Sequence, residues 1–141
     1  MMRLPQGEKG IAPVEFALGA SLLLIPMVIL VLSFAPWIER QMVARTAARE
    51  AARVIVLGDD FDLGRIRAEQ LVNDIAGNHG LTSADLSLSV AGAFVRGGSI
   101  TATVSVAMPD ISVPLIGDFG FGLSTWTTSH TEQVDLYRSF P

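Results

Sequence analysis

Between Ile11 and Ile38 the chain carries one charge, Glu15, and from Phe16 to Ile38 it carries none. A helix of that uncharged length spans roughly 35 Å, enough for a hydrocarbon core of about 30 Å with some tilt. Backbone amides in lipid find no water, so a run of this kind must satisfy its hydrogen bonds internally as a helix. No second apolar run of this length follows in the 141 residues, so the expectation is a single-pass protein with room for one small domain.

The remainder reads as a soluble head. From Val54 onward four basic residues (Arg65, Arg67, Arg96, Arg138) face ten acidic ones, a net of −6. A nucleic-acid partner is not expected, because phosphate binding needs clustered Lys and Arg. The sequence has no cysteine, which excludes disulfides and thiolate metal sites. A domain this small has a limited core, so part of its burial must come from its own long helix or from neighbouring subunits.

Read in order, residues 1–10 form a short polar leader and residues 11–38 the transmembrane helix. Residues 39–57 continue that helix outside the membrane, giving one helix of about 45 residues. Residues 58–141 form a small α+β domain. Pro13 lies where a helix start tolerates it, whereas Pro26 and Pro36 are interior and should kink the helix. Beyond the anchor the sequence turns rich in Ala and Arg, both strong helix formers. Arg45, Arg49 and Arg53 repeat at i, i+4, i+8 beside an apolar stripe of Ala44, Ala48, Ala52 and Ile55. Gly58 is placed to end the helix. Asp59-Asp60-Phe61-Asp62 reads as a loop and N-cap before a helix over 62–76, with Leu63, Ile66, Leu71, Val72 and Ile75 on its buried side. Gly77-Asn78-His79-Gly80 closes it.

The period then changes to two. Leu86, Leu88 and Val90 alternate with Ser, and Ile100, Ala102, Val104 and Val106 alternate with Thr and Ser, separated by Arg96-Gly97-Gly98. These two runs predict a β-hairpin. Met108 to Gly122 is expected as a loop and Leu123 to Leu136 as a third strand. The fold class is therefore α+β: a long N-terminal transmembrane helix, a short helix and a three-stranded antiparallel sheet.

Glu15 needs an explanation, since a carboxylate in a membrane segment costs a few kcal/mol on insertion scales and marks a functional contact. The plain alternative is a side chain solvated at headgroup depth. Its surroundings favour the contact. Gly10 ends a polar leader, and Val14-Glu15-Phe16-Ala17-Leu18 opens the apolar helix. Ala44-Arg45-Thr46-Ala47-Ala48-Arg49-Glu50-Ala51-Ala52-Arg53 extends it. Over residues 7–57 this combination resembles type IV prepilins and pseudopilins, in particular the TadE-like minor pilins of tight-adherence (Flp, type IVc) pili. One departure is Pro26, eleven residues after Glu15, where family members often have a proline about six after. A second is Pro13, close to the bond that would be cut.

The resemblance implies a pilin-like subunit whose partners are membrane lipid, a prepilin peptidase, other Tad pilins or pseudopilins and the assembly platform. It implies cleavage between Gly10 and Ile11. Glu15, with Phe16 beside it, would then meet the new Ile11 ammonium of a neighbouring subunit, because a buried carboxylate is tolerable when paired. It also implies a bacterial cytoplasmic membrane location with the head outside. Counting Lys and Arg alone points the other way, with Arg3 and Lys9 before the anchor and Arg40, Arg45, Arg49 and Arg53 after it. Those later arginines lie on a continuing helix that also carries Glu39 and Glu50.

Two readings attach to that helix. Arg45, Arg49 and Arg53 form either a solvated face or a contact for acidic neighbours. Ala44, Ala48 and Ala52 either admit another subunit's backbone or support the protein's own sheet. Trp37 is expected at the membrane edge and Trp126 in the core. Asp60-x-Asp62-x-Gly64 lacks the rest of a calcium loop and reads as a helix cap. His79 and His130 have no second His at metal spacing. No phosphate loop, dinucleotide fingerprint or Gly-x-Ser-x-Gly occurs. The expectation is a structural protein without cofactor, metal, small-molecule substrate or catalysis. The alternatives are an unprocessed single-pass scaffold of a secretion system, or a secreted domain cut after Ser33-x-Ala35.

Overall fold

The computed structural model describes residues 12–113, 117–119 and 125–137. Helical backbone starts at the first of these and continues, with one interruption, to Leu57. The first stretch is α1, Ala12–Ser33, and the second is α2, Ala35–Leu57. Phe34 between them is in a turn, and its N–H reaches back only three residues, to the Val31 carbonyl at 3.2 Å. Pro36 accounts for the interruption: it has no N–H to give the Leu32 carbonyl, and its ring crowds that carbonyl. Pro26, by contrast, lies inside α1 without ending it.

The chain divides into two compact units. One holds α1 and a short hairpin, β3 (Ile111–Val113) and β4 (Gly117–Phe119), paired antiparallel. This hairpin corrects the expected plain loop over 108–122. Its strands are three residues each, too short for alternation to show in the sequence.

The second unit is the head. It contains α2, α3 (Phe61–Asn78), β1 (Leu86–Gly92), β2 (Ser99–Ala107) and β5 (Thr125–Gln133). The strands form an antiparallel sheet in the order β1-β2-β5. β2 is central. Its residues Ile100, Ala102, Val104 and Val106 are fully buried, while Thr101, Thr103 and Ser105 point to the other face. Across that outer face Thr101 bonds Thr131 at 2.8 Å and Ser105 bonds Thr127 at 2.9 Å. The predicted hairpin and third strand are thus present, and the third strand pairs with β2 on the side away from β1.

One core joins β1 and β2 to both helices of the head. α2 contributes Val43, Ala44, Ala47, Ala48, Ala51, Ala52, Ile55 and Val56. Alanine at most of these positions lets the helix come close to its neighbours, and Ile55, fully buried, is the largest of the eight side chains. Complete burial of one such Ile contributes about 1.5–3 kcal/mol.

α3 uses a different face from the one its large side chains suggest. Gly64, Ala68, Val72 and Ala76 are buried, whereas Leu63 and Ile66 are exposed and Leu71 and Ile75 half-buried. Proximity explains the correction. A Cβ on Gly64 would stand 3.1 Å from the Ile55 Cα, and one on Gly58 would stand 3.3 Å from the Gly64 Cα. The two helices meet too closely at this corner for a Leu face, so small residues at i, i+4 take the contact.

Both ends of α3 are closed as the sequence suggests. Asp60 is the N-cap, its Oδ1 accepting from the N–H of Asp62 at 2.9 Å and of Leu63 at 3.1 Å. At the other end Gly80 takes a left-handed φ of 68°, the Gly80 N–H bonds the Gly77 carbonyl, and the Leu81 N–H bonds the Ala76 carbonyl. This Schellman closure uses glycine where other residues would be strained, and it turns Leu81 against the core.

Candidate functional site

Glu15 lies in the first turn of α1 and is exposed, as is Phe16. Gly10 and Ile11, where cleavage is expected, lie outside the described residues. A carboxylate in the first turn is favoured by the free N–H groups of the helix start, an effect of about 0.3–1 kcal/mol at an exposed site. The remainder of α1 presents large apolar side chains outward, among them Leu18, Leu22, Leu23, Ile25, Val28 and Val31. Among the described residues a single helix, Pro13–Leu57, is long and apolar enough to cross a membrane. Its α1 part of 22 residues rises roughly 33 Å, close to one hydrocarbon thickness. Ser21 and Ser33 bond the carbonyls four residues back, which satisfies their hydroxyls within the helix.

On α2 the alanines and arginines separate cleanly. Ala44, Ala48 and Ala52 are at most 1% exposed inside the head's own core, so in this fold they support the protein's own sheet rather than offer a face to another subunit. Arg45, Arg49 and Arg53 are exposed. The Arg45 guanidinium lies 5.3 Å from the centre of the Trp126 ring on β5, a cation–π contact that holds this arginine against the sheet.

Beyond that contact β5 is incompletely covered. Register places Trp126, Thr128, His130 and Glu132 opposite Val106, Val104, Ala102 and Ile100, on the inner face. The β2 partners are fully buried but these four are only half-buried. The gap is a groove of about 490 Å³, lined by Arg45, Arg49, Thr128, Ser129, His130 and Glu132. His130 Nε2 is 3.2 Å from Glu132 Oε2, two residues along the same strand face. The arginine side of the groove was readable from the i, i+4 spacing. The strand side was not, because it follows from the pairing of β5 with β2.

At the start of α2 a set of polar contacts ties helix to sheet. The Trp37 indole N–H donates to the Pro109 carbonyl at 2.8 Å, and Arg40 donates to the Ala107 carbonyl. Trp37 is half-buried against the head core. His79, the C-cap of α3, is 3.3 Å from Glu39. Asp85 closes the loop before β1 by accepting from the Thr82 N–H at 2.8 Å and its hydroxyl at 2.7 Å. These bonds, with a smaller contribution from the Arg40 charge, hold the Asp85 carboxyl below the usual carboxylate range. Among the described residues no three His, Cys, Asp or Glu side chains gather to hold a metal ion.

Residues 10–53 match the family model of TadE-like proteins, from Gly10 through Glu15 to the last arginine of the stripe. This segment is TadE-like. The match is consistent with a TadE-like protein of the tight-adherence pilus system and ends inside α2, so it covers the anchor and its extension rather than the sheet. No curated protein and no solved structure matches the chain.

Proposed function

We propose that this chain is a minor pilin or pseudopilin of a Tad-type pilus, a structural and assembly component that catalyses no reaction. The match of residues 10–53 to the TadE-like family carries this reading. In it, α1 anchors the protein in the bacterial cytoplasmic membrane with the head outside, and a prepilin peptidase cuts between Gly10 and Ile11. Glu15 then pairs with the Ile11 ammonium of a neighbouring subunit, and the neutralised pair lowers the cost of holding the carboxylate in an apolar filament core. Other Tad pilins and the assembly platform are its protein partners.

The position of Glu15 in the first helical turn supports a second reading, in which the helix start and headgroup water satisfy the carboxylate in an unprocessed membrane scaffold. Mass spectrometry of the membrane-purified protein separates the two: a chain beginning at Ile11 supports the pilin reading, and one beginning at Met1 or Met2 overturns it. Glu15→Ala is expected to leave membrane insertion intact and to reduce pilus assembly. Wild-type pilus production in that variant would remove the inter-subunit role of Glu15.

A further inference from the structure

We propose that the pocket between the start of α2 and the end of α3 binds the phosphoethanolamine headgroup of a membrane phospholipid. The pocket holds about 160 Å³ and is lined by Pro36, Glu39, Arg40, Val43, His79 and Leu81. That is several times the roughly 30 Å³ share of one water. Its level follows from the sequence. The uncharged run suited to lipid ends at Ile38, so Glu39 and Arg40 are the first charges beyond it and stand where headgroups lie. Beside them Ile38 and Met42, one turn apart on α2, are 59% and 63% exposed, apolar surface that suits the acyl side of that boundary. The fold then brings a third polar group to the same level. His79, the C-cap of α3, has its Nδ1 3.3 Å from Glu39 Oε1.

The charges select the ligand, and each keeps bonding capacity beyond the contacts it makes within the chain. Arg40 is half-buried and donates one guanidinium N–H to the Ala107 carbonyl. A guanidinium has several more N–H groups, which suit phosphate oxygens. His79 meets one oxygen of Glu39, whose side chain is 61% exposed. The second carboxylate oxygen can accept from an ammonium. A bare phosphate is disfavoured, because Glu39 would repel it and the Asp85 carboxylate already attracts the Arg40 charge. A bare amine is disfavoured by Arg40 in the same way. A zwitterion satisfies both walls, with its phosphate on Arg40 and its ammonium on Glu39. A primary ammonium fits better than a trimethylammonium, which has no N–H to donate to the carboxylate.

This inference rests on the membrane anchor of the proposed function, and it needs neither cleavage at Gly10 nor assembly into a pilus. Full-length protein in non-ionic detergent is titrated with phosphatidylethanolamine, phosphatidylcholine or phosphatidylglycerol of equal acyl chains. Native mass spectrometry counts the lipid retained. Phosphatidylethanolamine is expected to be retained about threefold or more over either of the others. Glu39→Gln should abolish its advantage over phosphatidylglycerol, and Arg40→Gln should lower retention of all three lipids. Circular dichroism of each variant checks that the head is folded. Arg40 also bonds the sheet, so the exposed Glu39→Gln variant decides the case if Arg40→Gln does not fold. Equal retention of the three lipids, or a phosphatidylethanolamine preference unmoved by Glu39→Gln in folded protein, would overturn the proposal. Stronger retention of phosphatidylglycerol would overturn it in favour of a plain anion site. Glycerophosphoethanolamine, the same headgroup without acyl chains, should compete about tenfold less well than the lipid. Equal competition would assign the pocket to a soluble phosphoethanolamine ester and overturn the lipid as its occupant. Membrane fractionation reads the anchor separately, and the mature N-terminus reads processing, so failure here is distinguishable from failure of either.

Discussion

α1 and α2 are nearly equal in length, 22 and 23 residues, yet they treat side-chain size in opposite ways. α1 is built from Leu, Ile, Val and Met, and most of these are exposed; α2 buries mainly Ala. The difference is one of solvent. Lipid is as apolar as Leu, so α1 gains from large side chains on every face, and its stability in the membrane does not depend on a fitted partner. α2 lies in a protein core, where a close-packed neighbour must match each side chain in volume. Composition alone therefore separates a helix that fits a solvent from one that fits a partner.

The largest test of this contrast lies in the head. Ile55→Ala removes the largest buried side chain of α2 and should destabilise the head by about 2–5 kcal/mol in a denaturant titration. Leu23→Ala in α1 should leave the same transition within about 0.5 kcal/mol. Equal losses would mean that α1 is also packed against a protein surface.

The converse change is next. Leu23→Arg at the middle of α1 should cost about 2.5–3.5 kcal/mol of membrane insertion, read as loss of protein from the membrane fraction. A charge at Arg49 on α2 is already tolerated, because that face is exposed. Undiminished membrane association of Leu23→Arg would sink the assignment of α1 as the anchor.

Asp60→Ala probes a feature that belongs to the head alone. It leaves two N–H groups of α3 without their cap and should lower head stability by about 1 kcal/mol, with α1 unaffected. Asp60→Asn should recover most of that loss, and an Asn variant as unstable as the Ala variant would place the effect elsewhere.

The smallest effect is a pH dependence. Asp85 has a carboxyl pKa lowered in the folded head, so the stability it contributes is fully present above the unfolded value and is lost as pH falls through the folded one. Wild-type head stability should therefore fall more steeply than that of Asp85→Asn in the acid range below the usual carboxylate pKa, while near neutrality the wild type is the more stable. α1 carries no titratable group after Glu15, so its helicity should not follow the same acid transition. Parallel acid profiles for wild type and Asp85→Asn would remove Asp85 from the account.

Much of the fold was legible because the relevant signals are local. The uncharged run, the Asp60 cap, the Gly80 closure and the alternation of Val with Thr and Ser each act within a few residues. The arginine stripe was legible for the same reason, since i, i+4 spacing sets a helix face without reference to anything else. Leu63 and Ile66 show where this logic ends: their size suggested a buried face, but the approach of α3 to Ile55 left room only for Gly64 and its small neighbours.

Apart from the short β3–β4 hairpin, the sequence by itself thus determined which segments become helix or strand and which one suits lipid, because backbone preference and transfer from water depend on local composition. Only the tertiary structure decided which faces meet. It placed Ala44, Ala48 and Ala52 inside the head, set Arg45 on Trp126, and left a charged groove under β5. Those outcomes depend on distances between elements far apart in the chain. Local periodicity carries no information about such distances.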